Sequence, residues 1–452
     1  MKRAEQLASF IVEKSYSDIS DQARQDLKIR VLDSVGCAIG ALGEEPVRIV
    51  RAQLEDFGGS EQCTLIGGGR AAPDRATLYN GSLVRYLDFN DSYLAKHETC
   101  HPSDNLGAVL AAGEYADCHG REFMTALAIA YQVQCSLSEV APVRAKGFDH
   151  TTQGAFAVAA GASKALGLDQ TKTVNALAIG GTAFNALRVT RTGELSNWKG
   201  LAYPNMAFGV IHSVFLAKRG ITGPSEVFEG NKGFMESIAG PFEIDWSREN
   251  LEVVRRTIIK KYNAEIHSQS AIEAILRLKD ENPFLGADVE RIVIETFRVA
   301  YNIIGGGEEG DKTLVLTKEQ ADHSLQYMVA VAVLDVQVMP EQYREERIRR
   351  EDVQTLLRKI SVIPTDDYSK RFPDEMPCRI TVSLLNGEVL TKEISEYEGF
   401  HTRPMTWGTA LRKFNDLCRA KSDTSLLNEI TQAIENLDAI RIRDLTRLLG
   451  RI

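Results

Sequence analysis

The chain has 452 residues, of which 44% are apolar and 25% charged, and its formal charge is −9. That length exceeds one ordinary core of roughly 100–200 residues and predicts two domains. The acidic balance argues against a nucleic-acid partner or an anionic membrane surface, and no run approaches the ~18 apolar residues that a membrane span needs.

The opening residues 1–14 keep a glutamate and a lysine inside their apolar stretch, which predicts an amphipathic helix rather than a signal peptide. Behind the cap candidates Ser20 and Asp21, the residues Leu27, Val31, Val35 and Ile39 recur in steps of four, the spacing of a helix that buries one stripe. Residues 63–67 read as a short strand or extended loop before a glycine turn. Residues 154–163 and 176–183 are rich in glycine and alanine, side chains small enough for helices to approach closely, so the first part reads as an all-α bundle.

After Pro241 the pattern changes. Residues 253–262 and 291–297 carry β-branched runs, and residues 268–278 between them have helical spacing. The glycine-rich, acidic stretch 305–310 reads as a loop and suits no phosphate, because two adjacent glutamates repel one. Asp322 and His323 read as caps on a helix running to Leu334, and Asn386-Gly387 between two apolar-alternating runs predicts a hairpin. From Trp407 onward the pattern is helical again. The seven cysteines show neither CxxC nor iron–sulfur spacing and read as reduced structural thiols, as in a cytoplasmic protein.

Chemistry concentrates in residues 86–105, YLDFNDSYLAKHETCHPSDN, which gather carboxylates, serines, a lysine and two histidines. His97-Glu98-Thr99-Cys100-His101 spells HExxH, the pattern of a zinc hydrolase, which works only when both histidines share a helical face. Pro102 follows directly and pushes His101 out of the helical region, so that reading is the weaker one. His101 and His150 can exchange a proton near neutral pH. Asp88 can act as a base or orient a histidine, and Ser92, one turn on if the helix persists, can hold a substrate or pass a proton. Lys199 falls between helices, while Arg188 and Arg191 are candidate carboxylate clamps by proximity in sequence. His97, His119, His212 and His401 read as structural or surface residues.

The run LDFNDS at 87–92 followed by HPSDN at 101–105 resembles the signature of the MmgE/PrpD family, which includes 2-methylcitrate dehydratase, cis-aconitate decarboxylase and iminodisuccinate epimerase. KGFDH at 146–150, SNWKG at 196–200, AEIHSQ at 264–269 and ADHSLQY at 321–327 continue the resemblance in the family's order. It implies a mainly α fold, with a large all-α helical domain made of residues 1–252 and 405–452 and a smaller α+β lid domain at 253–404. It also implies catalytic roles for Asp88, Ser92, His101, His150 and Lys199, and substrate contacts from Lys260, Glu265 and His267 on the lid side, with Arg188 and Arg191 added by proximity. The implied activity is a cofactor-independent, metal-free lyase that dehydrates 2-methylcitrate to 2-methyl-cis-aconitate. The decarboxylase and the epimerase are the alternatives; the decarboxylases carry histidine where Glu265 stands, which favours the dehydratase. A homodimer that acts on a small tricarboxylate, with no nucleic-acid or membrane partner, is what the resemblance implies about assembly and partners.

Overall fold

The computed structural model describes residues 1–452. Its contacts divide the chain into two compact units, the first made of residues 1–191, 198–258 and 406–452 and the second of residues 192–197 and 259–405.

The first unit is helical. Ser20 caps the helix Asp21–Gly40 by accepting a hydrogen bond from the Ala23 amide, and Leu27, Val31, Val35 and Ile39 are buried along it. The helix Thr151–Ala165 is buried along nearly its whole length, and close approach is built into its sequence. A Cβ at Gly154 would lie 2.4 Å from the Tyr203 ring, and one at Gly161 would lie 2.8 Å from Val109. The glycine–alanine composition therefore sets how near the neighbouring helices come. By length and composition the helix Trp198–Lys218 could cross a membrane, although no apolar run stood out in the sequence; 61% of its most apolar window is buried inside the protein.

The segment that carries residues 87–105 is irregular for local reasons. The helix Pro73–Tyr86 stops because Asp88 takes a left-handed conformation, with φ +54°. Aspartate tolerates that region better than most residues. Ser92 then pairs as an extended residue with Ile258, so the helical continuation expected to place it one turn after Asp88 does not occur. Tyr93–Leu94 and Thr99–Cys100 form a small hairpin, and His101 precedes the short helix Pro102–Asn105 in a non-helical conformation, as Pro102 demands.

The second unit packs helices on a four-stranded mixed sheet. In spatial order its strands are Ile360–Pro364, Val289–Thr296, Cys378–Leu384 and Val389–Ile394; the first pair is parallel and the others antiparallel. Asn386 and Gly387 turn the last hairpin, where Gly387 has φ +88°. The helices Gln269–Glu281 and Leu325–Asp335 bury Ile272, Ile275, Met328 and Val331 in the same core as Ile292 and Val382 of the sheet. Two expectations need correcting. Residues 253–262 form no strand, because Val253–Arg256 is a short 3-10 helix and Ile258 makes only an isolated bridge. The cap of Leu325–Asp335 is Ser324, whose hydroxyl accepts from the Tyr327 amide, which leaves Asp322 and His323 for another role.

Candidate active site

In the first unit, five of the candidates converge through ion pairs. Asp88 accepts from Arg85 Nη1 at 2.7 Å and faces Lys199 Nζ at 3.2 Å. Lys199 is not between helices but in the first turn of Trp198–Lys218, and it is buried. Arg85 also reaches Asp104, with Nε 3.6 Å from Oδ2. Asp149 binds Arg191 Nε at 2.6 Å and lies 3.8 Å from Arg188 Nη1, while its other oxygen lies 3.2 Å from His150 Nδ1. Burial alone would raise the Asp149 pKa, but Arg191 and His150 overcome it and hold the carboxyl well below its ordinary range.

The two histidines meet edge to face, with ring centroids 5.4 Å apart. His101 Nδ1 lies 2.9 Å from the Asp91 carbonyl and 3.0 Å from the Ser92 hydroxyl. A carbonyl can only accept, so in the neutral ring Nδ1 carries the proton and Nε2 is the basic nitrogen. Asp91 is itself anchored by the Ser103 amide and the Tyr131 hydroxyl, and burial pushes its carboxyl up to about 6. His150 stacks over Tyr203 and places Nε2 3.9 Å from Asp104 Oδ2. Burial opposes its charged form, but the carboxylates of Asp149 and Asp104 together outweigh it and the pKa is raised.

Asp104 Oδ2, His150 Nε2 and Arg191 Nη2 are buried and make no hydrogen bond within the protein. Each such atom costs about 1–3 kcal/mol unless a partner arrives. Three in one cluster, both acceptors and donors, fit a ligand that carries carboxylates and a hydroxyl.

The remaining candidates lie in the second unit. Glu265 accepts from the His267 amide at 2.7 Å, and His267 Nδ1 lies 2.7 Å from its other oxygen. Burial would raise the Glu265 pKa, but His267 and the neighbouring cations bring it down to about 2. The tight dyad holds the imidazole with Nε2 buried and free of hydrogen bonds, against the stacked rings of Phe297 and Phe372. Lys260 is fully buried nearby in sequence. Reasoning from sequence missed a second dyad in this unit: His323 Nδ1 lies 2.7 Å from Asp322, whose other oxygen pairs with Lys318 Nζ at 2.8 Å. It also passed over Arg85, Asp104 and Asp149, which carry as much of the first unit's ion-pair network as the candidates it named.

The HExxH geometry does not form. His97 is exposed on the hairpin while His101 is buried, and the Glu98 carboxylate accepts both the Val143 and Arg144 amides, which occupies the oxygen a metalloprotease would turn on water.

The chain is similar to known proteins over most of its length. The chain is 27% identical over 414 residues to the 2-methylcitrate dehydratase of Cupriavidus necator, an alignment that covers 84% of this chain and 82% of that one. It is 27% identical over 406 residues to the 2-methylcitrate dehydratase of Salmonella typhimurium, covering 82% and 81%. It is also 27% identical over 474 aligned positions to an alkylcitrate dehydratase of a fungal species, covering 94% and 90%. The sequence model of the MmgE/PrpD N-terminal domain matches residues 5–247, and that of the C-terminal domain matches residues 262–439. With almost the whole chain matched, this protein belongs to the MmgE/PrpD family.

Proposed function

We propose that the protein is a hydro-lyase that converts 2-methylcitrate to 2-methyl-cis-aconitate without a cofactor. The observation that carries the reading is the pair of touching histidines with opposite surroundings. A dehydration next to carboxylates needs one group that takes a carbon-bound proton and another that delivers a proton to the departing hydroxyl. His101, turned by a carbonyl so that Nε2 is basic, suits the first task. His150, whose imidazolium is favoured by Asp149, suits the second.

In this reading the carbon–hydrogen electrons form the new double bond, the carbon–oxygen bond breaks and water leaves with the proton from His150. Return of a proton from His101 to solvent and uptake by His150 restore the site. Lys199 and Arg191 hold substrate carboxylates, where cations stabilise the charge that develops as the proton departs. Arg188 is a second clamp beside Arg191, Asp88 orients Lys199, and Ser92 orients His101. Lys260, Glu265 and His267 remain substrate-binding candidates. A cytoplasmic, homodimeric enzyme is part of the proposal; its support is the family and seven buried cysteines that form no disulfide, as a reducing compartment allows.

The test is to treat the protein with a chelator and incubate it with 2-methylcitrate, citrate, cis-aconitate and iminodisuccinate. Conjugated alkene should appear by ultraviolet absorbance from 2-methylcitrate, with loss of one water by mass. Carbon dioxide from cis-aconitate, or racemised iminodisuccinate without alkene, would replace this reading by the decarboxylase or the epimerase.

A further inference from the structure

We infer that Lys413, more than three hundred residues from the polar cluster in sequence, is a positioning residue for it. Lys413 lies on the helix Trp407–Cys418 and is buried. Its ammonium donates to the Phe89 carbonyl at 2.8 Å, pairs with Asp33 at 2.6 Å and sits 3.7 Å from the centroid of the Phe89 ring. One cation thus holds one residue by both its backbone and its side chain.

Phe89 occupies the position where such a hold matters most. It follows Asp88, whose left-handed backbone needs surrounding contacts to persist. It precedes Asn90, whose amide donates to Ser103 and Asp104, and Asp91, whose carbonyl fixes the His101 proton on Nδ1. The loop is therefore pinned from one side by Asn90 and from the other by Lys413. Without the second pin, the Phe89 peptide is free to rotate, and the Asp88 carboxylate and Asp91 carbonyl shift with it. Displacements of about 1 Å at such groups cost turnover on the order of 100-fold. Asp33, on the helix Asp21–Gly40, holds the ammonium in place.

This inference rests on the dehydratase reading for its kinetic arm only. Lys413→Met alone leaves Asp33 buried without its cation and can unfold the protein. The informative variant is therefore Asp33→Asn combined with Lys413→Met, because removing both charges of a buried pair is tolerated far better than removing one. The double variant should keep a wild-type circular dichroism spectrum, lose about 10–100-fold in kcat and change KM for 2-methylcitrate less than threefold, while Lys413→Arg keeps most of the activity. Independently, nitrogen-15 NMR of histidine-labelled protein, with the His101 signals assigned through His101→Gln, should show the proton on Nδ1 in the wild type and divided between the two nitrogens in the double variant. A folded double variant with wild-type kcat and an unchanged His101 spectrum would overturn the inference, as would a loss confined to KM. If the wild type does not turn over 2-methylcitrate at all, the dehydratase reading fails and the NMR result alone decides the role of Lys413.

Discussion

His101 and His150 touch, yet the chain around 91–92 and the chain around 149–191 treat them in opposite ways. One ring is held by a carbonyl and a hydroxyl, groups that fix a tautomer without adding charge. The other is held by a carboxylate that is itself braced by Arg191. In the proposed mechanism these two side chains take opposite halves of a proton transfer, and what distinguishes them is the group at each Nδ1, a carbonyl and a hydroxyl on one and a carboxylate on the other, since both rings are buried.

Removing the neutral-sided ring should have the largest effect. His101→Ala is expected to lower kcat about 10³-fold with a normal thermal melt; a variant with kcat within tenfold of wild type would remove His101 from the base role. His150→Gln is expected to cost about 10²-fold and to abolish the alkaline limb of the kcat–pH profile. Because the His150 pKa is raised, that limb in the wild type should fall above the ordinary histidine value of about 6.5. Its stability contribution has the matching sign: present below the unfolded histidine pKa and lost as pH rises through the higher folded value.

The charged side can also be broken at its support. Arg191→Gln leaves the buried Asp149 carboxylate with only His150 and the more distant Arg188 of the cations described, and should cost up to about 3–5 kcal/mol in urea unfolding at pH 7. Asp149 has a depressed pKa, so its contribution is complete above the ordinary carboxylate range and is lost only as pH falls through the lower folded value. In Arg191→Gln the acid-induced loss should therefore begin at higher pH than in the wild type, which an acid titration followed by circular dichroism would read. The smallest change sharpens the neutral side. Ser92→Ala removes one hydroxyl partner worth about 1 kcal/mol and should lower kcat about fivefold, with Ser92→Thr close to wild type; an equal loss in both variants would mean that packing rather than the hydroxyl matters at this position.

Much of the fold could be read from local pattern, and the reasons are particular. Ser20 caps its helix and Asn386-Gly387 turns its hairpin because both signals act within four residues. The β-branched run at 253–262 misled because its length and composition allow a strand, while tertiary context gives Ile258 a single partner in Ser92. The polar cluster was legible only where chemistry-bearing residues crowd together in sequence, as at 88–101. Arg85 looks like any charge in the last turn of a helix, and Asp104 like any acid in a helical first turn. Their pairing depends on a chain reversal at Asp88 that no propensity announces. Asp322 and His323 read as caps because that is the usual use of such residues before an apolar helix, and only the Ser324 hydroxyl in that place shows otherwise.

The first unit is closed by residues 406–452, which are synthesised only after the whole second unit. Gly120 lies against residues 437–440 so tightly that a Cβ there would sit 1.5 Å from the Leu437 carbonyl, and its amide donates to the Ile440 carbonyl at 2.8 Å. Between residue 258 and residue 406 of that unit, the whole of 259–405 must be synthesised, which takes roughly 7–30 s at ordinary translation rates. For that interval the nascent bundle lacks the helix that carries Lys413 and exposes the apolar groove this helix fills. A stop codon shortly before residue 406 should therefore yield aggregate rather than a smaller enzyme.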